Sequence, residues 1–206
     1  MCLWDLSTGL LVRTIREHAA TVFSIAFSPD GDILVTSDAN GRVKVWSALI
    51  GHNQVLTGTE EAHDLGVNSV CFSPTFTKEV LTTRYQLVTC GNDGFVSLWD
   101  VQTGATKRMR LVTSRWAHEG AAMVVKVSPD GGTIVTGGGD KVVKVWSRGL
   151  ELCQSLEGHT RYVTSLAFSP CGQVGCHSSH SSFHISFSYR CWCPGRMTRV
   201  CASGAA

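Results

Sequence analysis

Apolar and polar residues alternate in short bursts along most of this chain, and turn residues separate the bursts. "VFSIAFSPDG", "VNSVCFSP", "VVKVSPDG" and "VTSLAFSPCG" each read as a strand running into a Ser-Pro turn. After three of them comes a second run ("ILVT", "QLVT", "TIVT"), a turn rich in Gly, Asn and Asp, and a third run ending in Trp46, Trp99 or Trp146. Segments such as "LVRTIREH" (residues 11–18) and "ELCQSLEGH" (residues 151–159) supply a fourth. The period of two predicts an all-β fold built from short antiparallel strands, four to a unit.

The units repeat. A histidine precedes each first strand, at His18, His63, His118 and His159. From histidine to closing tryptophan the distance is 28 residues (18 to 46), 36 residues (63 to 99) and 28 residues (118 to 146). The extra length of the middle unit falls in "SPTFTKEVLTTRYQLVT", where its neighbours have the tight "SPDGDILVT" and "SPDGGTIVT". An insertion of this kind is expected in a surface loop. A sheet of four short strands cannot bury both of its faces alone, so such units are expected to stack on one another, and radial stacking makes a propeller.

The histidine before the first strand, the "SPDG" after it, the Asp-Gly turn and the Trp-Asp ending together resemble the WD-repeat family. The resemblance covers residues 1–172 and implies a partial β-propeller: repeats at about 1–16, 17–58, 59–112 and 113–156, and a partial one at 157–172. That makes three whole four-stranded blades between incomplete terminal ones, a portion of a larger propeller whose remaining blades lie outside this chain.

Counting back from each tryptophan, position minus six holds Asn40, Asp93 and Asp140, and position minus ten holds Thr36, Thr89 and Thr136. With His18, His63 and His118 they form three sets. The resemblance implies that each set is a hydrogen-bonded chain from the indole N–H through hydroxyl and imidazole to the carboxylate, clamping the outer part of a blade to the loop between blades. Buried donors and acceptors of these types all require partners. Asn40 stands where a carboxylate is expected, so the first set is expected to be the weakest. A histidine, a threonine and an aspartate could also form a hydrolytic triad. An active site is needed once, whereas this set recurs at constant spacing, so the expectation is structural and the chain is expected not to be an enzyme.

The resemblance further implies binding of other proteins or peptides through loops at one end of the central channel. The corresponding positions are Thr21, Gly66, Ala121 and Tyr162, just before the first strands, and Ala39, Asn92 and Gly139, just before the turn aspartates. Arg161 and Tyr162 have the chemistry of interface anchors, although the same side chains would serve equally to cover a strand edge. "EEAHDLGVNSVCFS" with its insertion, followed by "GHTRYVTSLAF", is similar to the family that joins WD repeats to a SAM domain and a U-box of ubiquitin-ligase type. This narrower likeness implies a substrate adaptor. The alternative is a general scaffold subunit of a multiprotein or RNA-associated complex.

Composition narrows the classes. The 206 residues are 43% apolar with a net charge of +2, and the basic residues are scattered, which argues against nucleic acid and anionic membranes as partners. No apolar run is long enough to span a bilayer, and "MCLWDLSTG" lacks the regions of a signal peptide, so cytoplasm or nucleus is the expected location. No phosphate-binding glycine loop or metalloprotease motif occurs, and no cofactor is expected. Of nine cysteines, Cys2, Cys71, Cys90, Cys153 and Cys171 sit singly in repeat sequence and are expected to act as small apolar residues. Residues 173–206 are rich in Ser, His and Cys and contain no Asp, Glu or Lys. Their His177, His180, His184, Cys191, Cys193 and Cys201 fit no zinc-finger spacing. No metal site is expected there, and the segment has the character of a disordered, non-homologous terminus.

Overall fold

Residues that alternate in sequence alternate between two buried faces in space. The computed structural model describes residues 1–48, 60–104 and 107–169, together with the backbone of residues 174–178, 185–193 and 196–203. Among these there is no helix, and the strands assemble into antiparallel sheets. β1 (Cys2–Trp4) and β2 (Leu11–Thr14) form a two-stranded ribbon. The first four-stranded sheet comprises β3 (Val22–Phe27), β4 (Ile33–Asp38), β5 (Arg42–Ser47) and β6 (Glu60–Glu61). The second comprises β7 (Val67–Lys78), β8 (Thr82–Gly91), β9 (Phe95–Gly104) and β10 (Arg108–Trp116). β11 (Ala122–Val127), β12 (Thr133–Gly138), β13 (Val143–Ser147) and β14 (Leu152–Leu156) make the third. β15 (Val163–Phe168), β16 (Val174–Ser178), β17 (Ile185–Cys193) and β18 (Arg196–Ser203) make the fourth.

Within each four-stranded sheet the strands lie in chain order, and the first strands of successive sheets are mutual neighbours. The sheets fan out around those first strands, consistent with a partial β-propeller. Three apolar seams hold them face to face. Ile33, Val35, Val43 and Val45 meet Leu87, Trp99 and their neighbours between the first and second sheets. Val88 and Leu98 meet Val125, Ile134 and Trp146 between the second and third, and Val135 and Val145 meet Val163 and Leu166 between the third and fourth. Ile134 and Val135 are adjacent in sequence but serve opposite seams, as the pleat requires. β4 and β12, covered on both faces, are buried at every residue, which is why their sequences read as continuous apolar runs. Each fully buried valine or leucine contributes about 1.5–3 kcal/mol.

The Ser-Pro-Asp-Gly turn has a repeated internal logic. Ser28 Oγ donates to Asp30 Oδ1 at 2.6 Å and accepts from the Ile33 N–H at 3.1 Å. Ser128 does the same with Asp130 (2.6 Å) and Thr133 (2.9 Å). Gly31 (φ 77°) and Gly131 (φ 70°) take the left-handed position that closes each turn. In the second sheet the insertion is strand, not the expected loop. β7 continues to Lys78 and β8 starts at Thr82, with a register shift between Phe72 and Phe76. Alternating Thr, Phe and Tyr in this segment pair across the hairpin, Phe76 opposite Tyr85 and Thr77 opposite Arg84. Buried Tyr85 donates its hydroxyl to Asp30 Oδ2 at 2.6 Å, pinning the long hairpin to the turn of the first sheet.

Two expectations about the ends change. Residues from 173 onward contribute β16–β18, so the fourth unit is four-stranded rather than dissolving into disorder. "ISFSYRCWC" alternates with period two, and that pattern outweighs its serine-rich composition. At the other end, Ile25 and Phe27 are 49% and 55% exposed, whereas Val125 and Val127, their counterparts in β11, pack in the seam against the second sheet. The face of β3 turned away from the second sheet is therefore open.

Candidate interaction rim and its polar quartets

Each histidine lies on the segment that enters a sheet, each threonine on the second strand, and each tryptophan on the third. Trp99 Nε1–H donates to Thr89 Oγ1 at 3.0 Å, Thr89 Oγ1 lies 2.8 Å from His63 Nε2, and His63 Nδ1 lies 2.8 Å from Asp93 Oδ2. The third sheet repeats this with Trp146–Thr136 at 3.0 Å, Thr136–His118 at 2.8 Å and His118–Asp140 at 2.9 Å. In the first sheet Trp46–Thr36 is 2.9 Å and Thr36–His18 is 2.6 Å. All three threonines are fully buried.

The donors fix the direction of each chain. An indole can only donate, so the threonine oxygen accepts from it, and the hydroxyl hydrogen is left for His Nε2. That makes the imidazole neutral with its proton on Nδ1, where it donates to the carboxylate. Protonating the ring would leave the threonine hydrogen without an acceptor. At His118 burial holds the imidazole below its ordinary 6.5 against the pull of Asp140, with Lys144 adding to the depression. A depressed histidine leaves the unfolded chain binding more protons than the folded one. Stability from this group is complete above pH 6.5 and falls as pH drops from there toward the folded-state value. Acid unfolding of wild type is expected to begin in that window, and His118→Gln, which has no titrating ring, to flatten the curve there. Urea midpoints measured between pH 7 and pH 5 check this.

The acid of the first quartet is Asp38, not Asn40. His18 Nδ1 lies 2.7 Å from Asp38 Oδ2, while Asn40 offers only its backbone N–H to Asp38 Oδ1 at 2.9 Å. Asp38 sits eight residues before Trp46, where the second and third units have Gly91 and Gly138. Those glycines leave room for the imidazole: a Cβ on Gly91 would lie 2.9 Å from His63 Cγ, and one on Gly138 would meet the His118 ring. In the first unit the carboxylate itself grows from that position, so the first quartet is complete and the expected weakness is absent. Burial raises the Asp38 carboxyl, but bonds from His18 and from the Arg42 and Asn40 N–H groups outweigh it and hold the group below 3.8; Asp93 is held down likewise against burial, by His63 and the Phe95 N–H. Asp38→Asn is expected to cost about 1.5–3 kcal/mol, the range for a hydrogen bond to a charged group. Asn40→Ala is expected to stay within about 0.5 kcal/mol. Urea denaturation of both variants reads the difference.

The turn glycines complete the link between sheets. The Gly94 carbonyl accepts from the N–H groups of Ala117 (2.8 Å) and His118 (3.1 Å), and Gly41 receives Ala62 (2.9 Å) and His63 (3.3 Å) in the same way. Both glycines have positive φ, 81° at Gly41 and 80° at Gly94. The third sheet has Lys141 (φ 68°) at this place.

The expected rim residues are brought together in pairs. Ala39 N–H donates to Thr21 O at 2.9 Å, Asn92 N–H to Gly66 O at 2.8 Å, and Gly139 N–H to Ala121 O at 2.9 Å. Thr21, Asn92, Arg161 and Tyr162 are exposed, Tyr162 by 58%, and Ala39, Ala121 and Gly139 are partly so. Gly66 is a correction. It is buried between sheets, and a Cβ there would lie 2.9 Å from Ala39 O and 3.1 Å from Phe23 Cε2, so it serves packing rather than contact with a partner. Asn68, which lies outside the expected set, joins the rim: its Nδ2 donates to Asn92 Oδ1 (2.8 Å) and to Ala122 O (3.0 Å), bridging the second and third sheets. The asparagine one residue past the "LGV" turn is the signal for it in the sequence.

The fourth sheet carries the repeat without the quartet. Cys176 pairs with Leu166, the register held by Thr136 opposite Val125 in the third sheet. Extending the pairing of Cys176 with Ile185 and Gly175 with Ser186 by one step puts Phe187 at the tryptophan position, and phenylalanine has no N–H to donate. No group of three or more His, Cys, Asp or Glu is poised for a metal among the described residues. The side chains of His177, His180, His184, Cys191, Cys193 and Cys201, and the whole of Cys171, lie outside them. Burial pushes the thiols of Cys71 and Cys90 up, as for small apolar residues, whereas Cys2 and Cys153 are exposed.

Comparison with known proteins agrees with this geometry. The family model described as WD domain, G-beta repeat matches residues 9–47, 54–100, 109–147 and 150–188, the last reaching into β17. Similar proteins include nuclear distribution protein PAC1 of Arthroderma otae, 27% identical over 82% of this chain and 36% of its own length. Cell division cycle 20.1, cofactor of APC complex, of Arabidopsis thaliana is 30% identical over 82% of this chain and 35% of its own. The probable coatomer subunit beta' of Schizosaccharomyces pombe is 33% identical over 66% of this chain and 15% of its own. The chain thus spans about a third or less of the length of these relatives. Four matched repeats, three of them locked by the same polar quartet, place this chain in the WD-domain, G-beta repeat family, as a scaffold-type protein-interaction domain.

Proposed function

We propose that this WD-repeat arc is the non-catalytic recruiting part of a ubiquitin-ligase adaptor, holding a protein or peptide partner at the loop rim with Arg161 and Tyr162 as anchors. One observation carries the binding half of the reading. Among the described residues, the recurring set with catalytic residue types is buried and already saturated: each threonine oxygen is engaged by an indole and an imidazole, and no substrate atom reaches it. What remains outward at the rim is a polar edge with a large exposed aromatic and a neighbouring arginine, the residue types that dominate binding hot spots. The adaptor half is supported by the likeness of "EEAHDLGVNSVCFS" and "GHTRYVTSLAF" to proteins that carry a U-box. The similarity to a protein named as a cofactor of the APC complex points toward work inside an assembly. In this reading further blades complete the ring beside the open face of β3, and the protein acts in the cytoplasm or nucleus without cofactor or metal.

A general scaffold subunit is the second reading, favoured by the similarity to a coatomer subunit. Proximity labelling in cells, with wild type and an Arg161→Ala, Tyr162→Ala double variant, separates them. The adaptor reading expects ubiquitin-conjugating components in the labelled set and loss of other partners in the variant. Partner loss with no ubiquitin component supports the scaffold, and an unchanged set contradicts the rim.

A further inference from the structure

The insertion in the second sheet builds a wall that its neighbours lack. On the face of β8 and β9 turned toward the third sheet, Val88 and Leu98 are paired and buried in the seam. Two residues farther out the same face changes character: Gln86 pairs with Asp100, and beyond them Arg84 pairs with Gln102. Arg148, in the turn after β13, reaches across from the third sheet and donates Nε–H to Gln86 Oε1 at 2.9 Å. Between these parts lies an open cleft of about 370 Å³, lined by Thr77, Arg84, Gln86, Asp100 and Arg148, with Phe76 at its side. Its volume falls within the range of ligand sites. By topology it lies at the opposite end of the strands from the rim.

The charges in this cleft are uncommitted. Neither Arg84 nor Arg148 forms an ion pair with a carboxylate among the described residues, although Asp100 shares the cleft and accepts from Gln102 Nε2 at 2.9 Å. The bond to Gln86 holds Arg148 by its Nε and leaves both terminal nitrogens of the fork for another acceptor. Guanidinium forks match carboxylates and phosphates with paired hydrogen bonds. Phe76 is 38% exposed and stacked on Tyr85 with ring centroids 5.6 Å apart, which sets a fixed apolar surface beside the two cations. We propose that this cleft binds a short peptide segment in which a side chain ending in an oxyanion, carboxylate or phosphate, adjoins an apolar residue. The oxyanion sits between Arg84 and Arg148, and the apolar neighbour lies on Phe76.

The test titrates the whole isotope-labelled chain with three blocked peptides that differ at one position next to a leucine: glutamate, phosphoserine or glutamine. The arginine Nε–H signals of Arg84 and Arg148 are followed by NMR. The charged peptides are expected to shift both signals and the glutamine peptide to shift neither. Binding of both charged peptides identifies a carboxylate as sufficient, and binding of the phosphorylated one alone identifies a phosphorylated partner. Arg84→Gln and Arg148→Gln are each expected to weaken binding about tenfold with unchanged urea midpoints. Should Arg148→Gln disturb the turn, exposed Arg84→Gln alone carries the test. Equal binding of the glutamine peptide, no shift with any peptide, or undiminished affinity in Arg84→Gln overturns the proposal.

Discussion

Thr136→Val is expected to lower the unfolding free energy by about 2–6 kcal/mol, although valine has nearly the same shape and suits a strand. The substitution removes one hydroxyl that serves two buried neighbours, the Trp146 indole N–H and His118 Nε2. Each group left unpaired costs about 1–3 kcal/mol. Neither can turn to water, because Thr136 and His118 are wholly buried and Trp146 is 3% exposed. Exposed Thr8→Val, as a control, is expected to change stability by less than about 0.5 kcal/mol. Urea denaturation gives both numbers, and equal midpoints for the two variants would remove the quartet from the account of stability.

Gly94→Ala is expected to cost about 3–5 kcal/mol, more than a strained turn alone explains. An alanine at φ 80° carries roughly 1–2 kcal/mol of left-handed strain. Its methyl would also sit 2.6 Å from His118 O and 2.7 Å from Gly120 O, backbone atoms that cannot swing aside. Relief requires backing the entering loop away, which breaks the bonds from Ala117 and His118 and displaces the imidazole from its quartet. At Gly31, φ 77°, a methyl would meet nothing within 4 Å, so Gly31→Ala should show the conformational strain alone, about 1–2 kcal/mol. Thermal unfolding of the pair separates the contact from the torsion. Lys141, which occupies the corresponding place in the third sheet at φ 68°, shows that the torsion by itself is tolerated.

The second and third quartets are legible in the sequence because their offsets from Trp99 and Trp146 are identical, and identical offsets along strands of equal pairing put the same atoms together. The first misleads for the same reason. Counting offsets selects Asn40, whereas the chemistry of a buried imidazole calls for a carboxylate, and Asp38 is the acid available in that turn. The length of the insertion suggests a loop, yet its alternating Thr, Phe and Tyr have the period of a hairpin. In the tail, abundant serine masks the apolar positions between them, Ile185, Phe187 and Tyr189. Gly66 is beyond the reach of sequence: a glycine has no side chain to betray whether it faces solvent or a neighbouring sheet, and only the approach of Ala39 and Phe23 shows that it packs.

Hydrogen exchange at the tryptophan indoles tests most directly whether the quartets fasten the sheets together. Trp46, Trp99 and Trp146 each donate Nε1–H to a buried threonine, whereas Trp4 and Trp116 are 56% and 55% exposed. In an NMR exchange experiment the three quartet indoles are expected to exchange at least about a hundredfold more slowly than the two exposed ones, with rates that track unfolding of the sheets. Quartet indoles that exchange as fast as Trp4 and Trp116 would contradict the account.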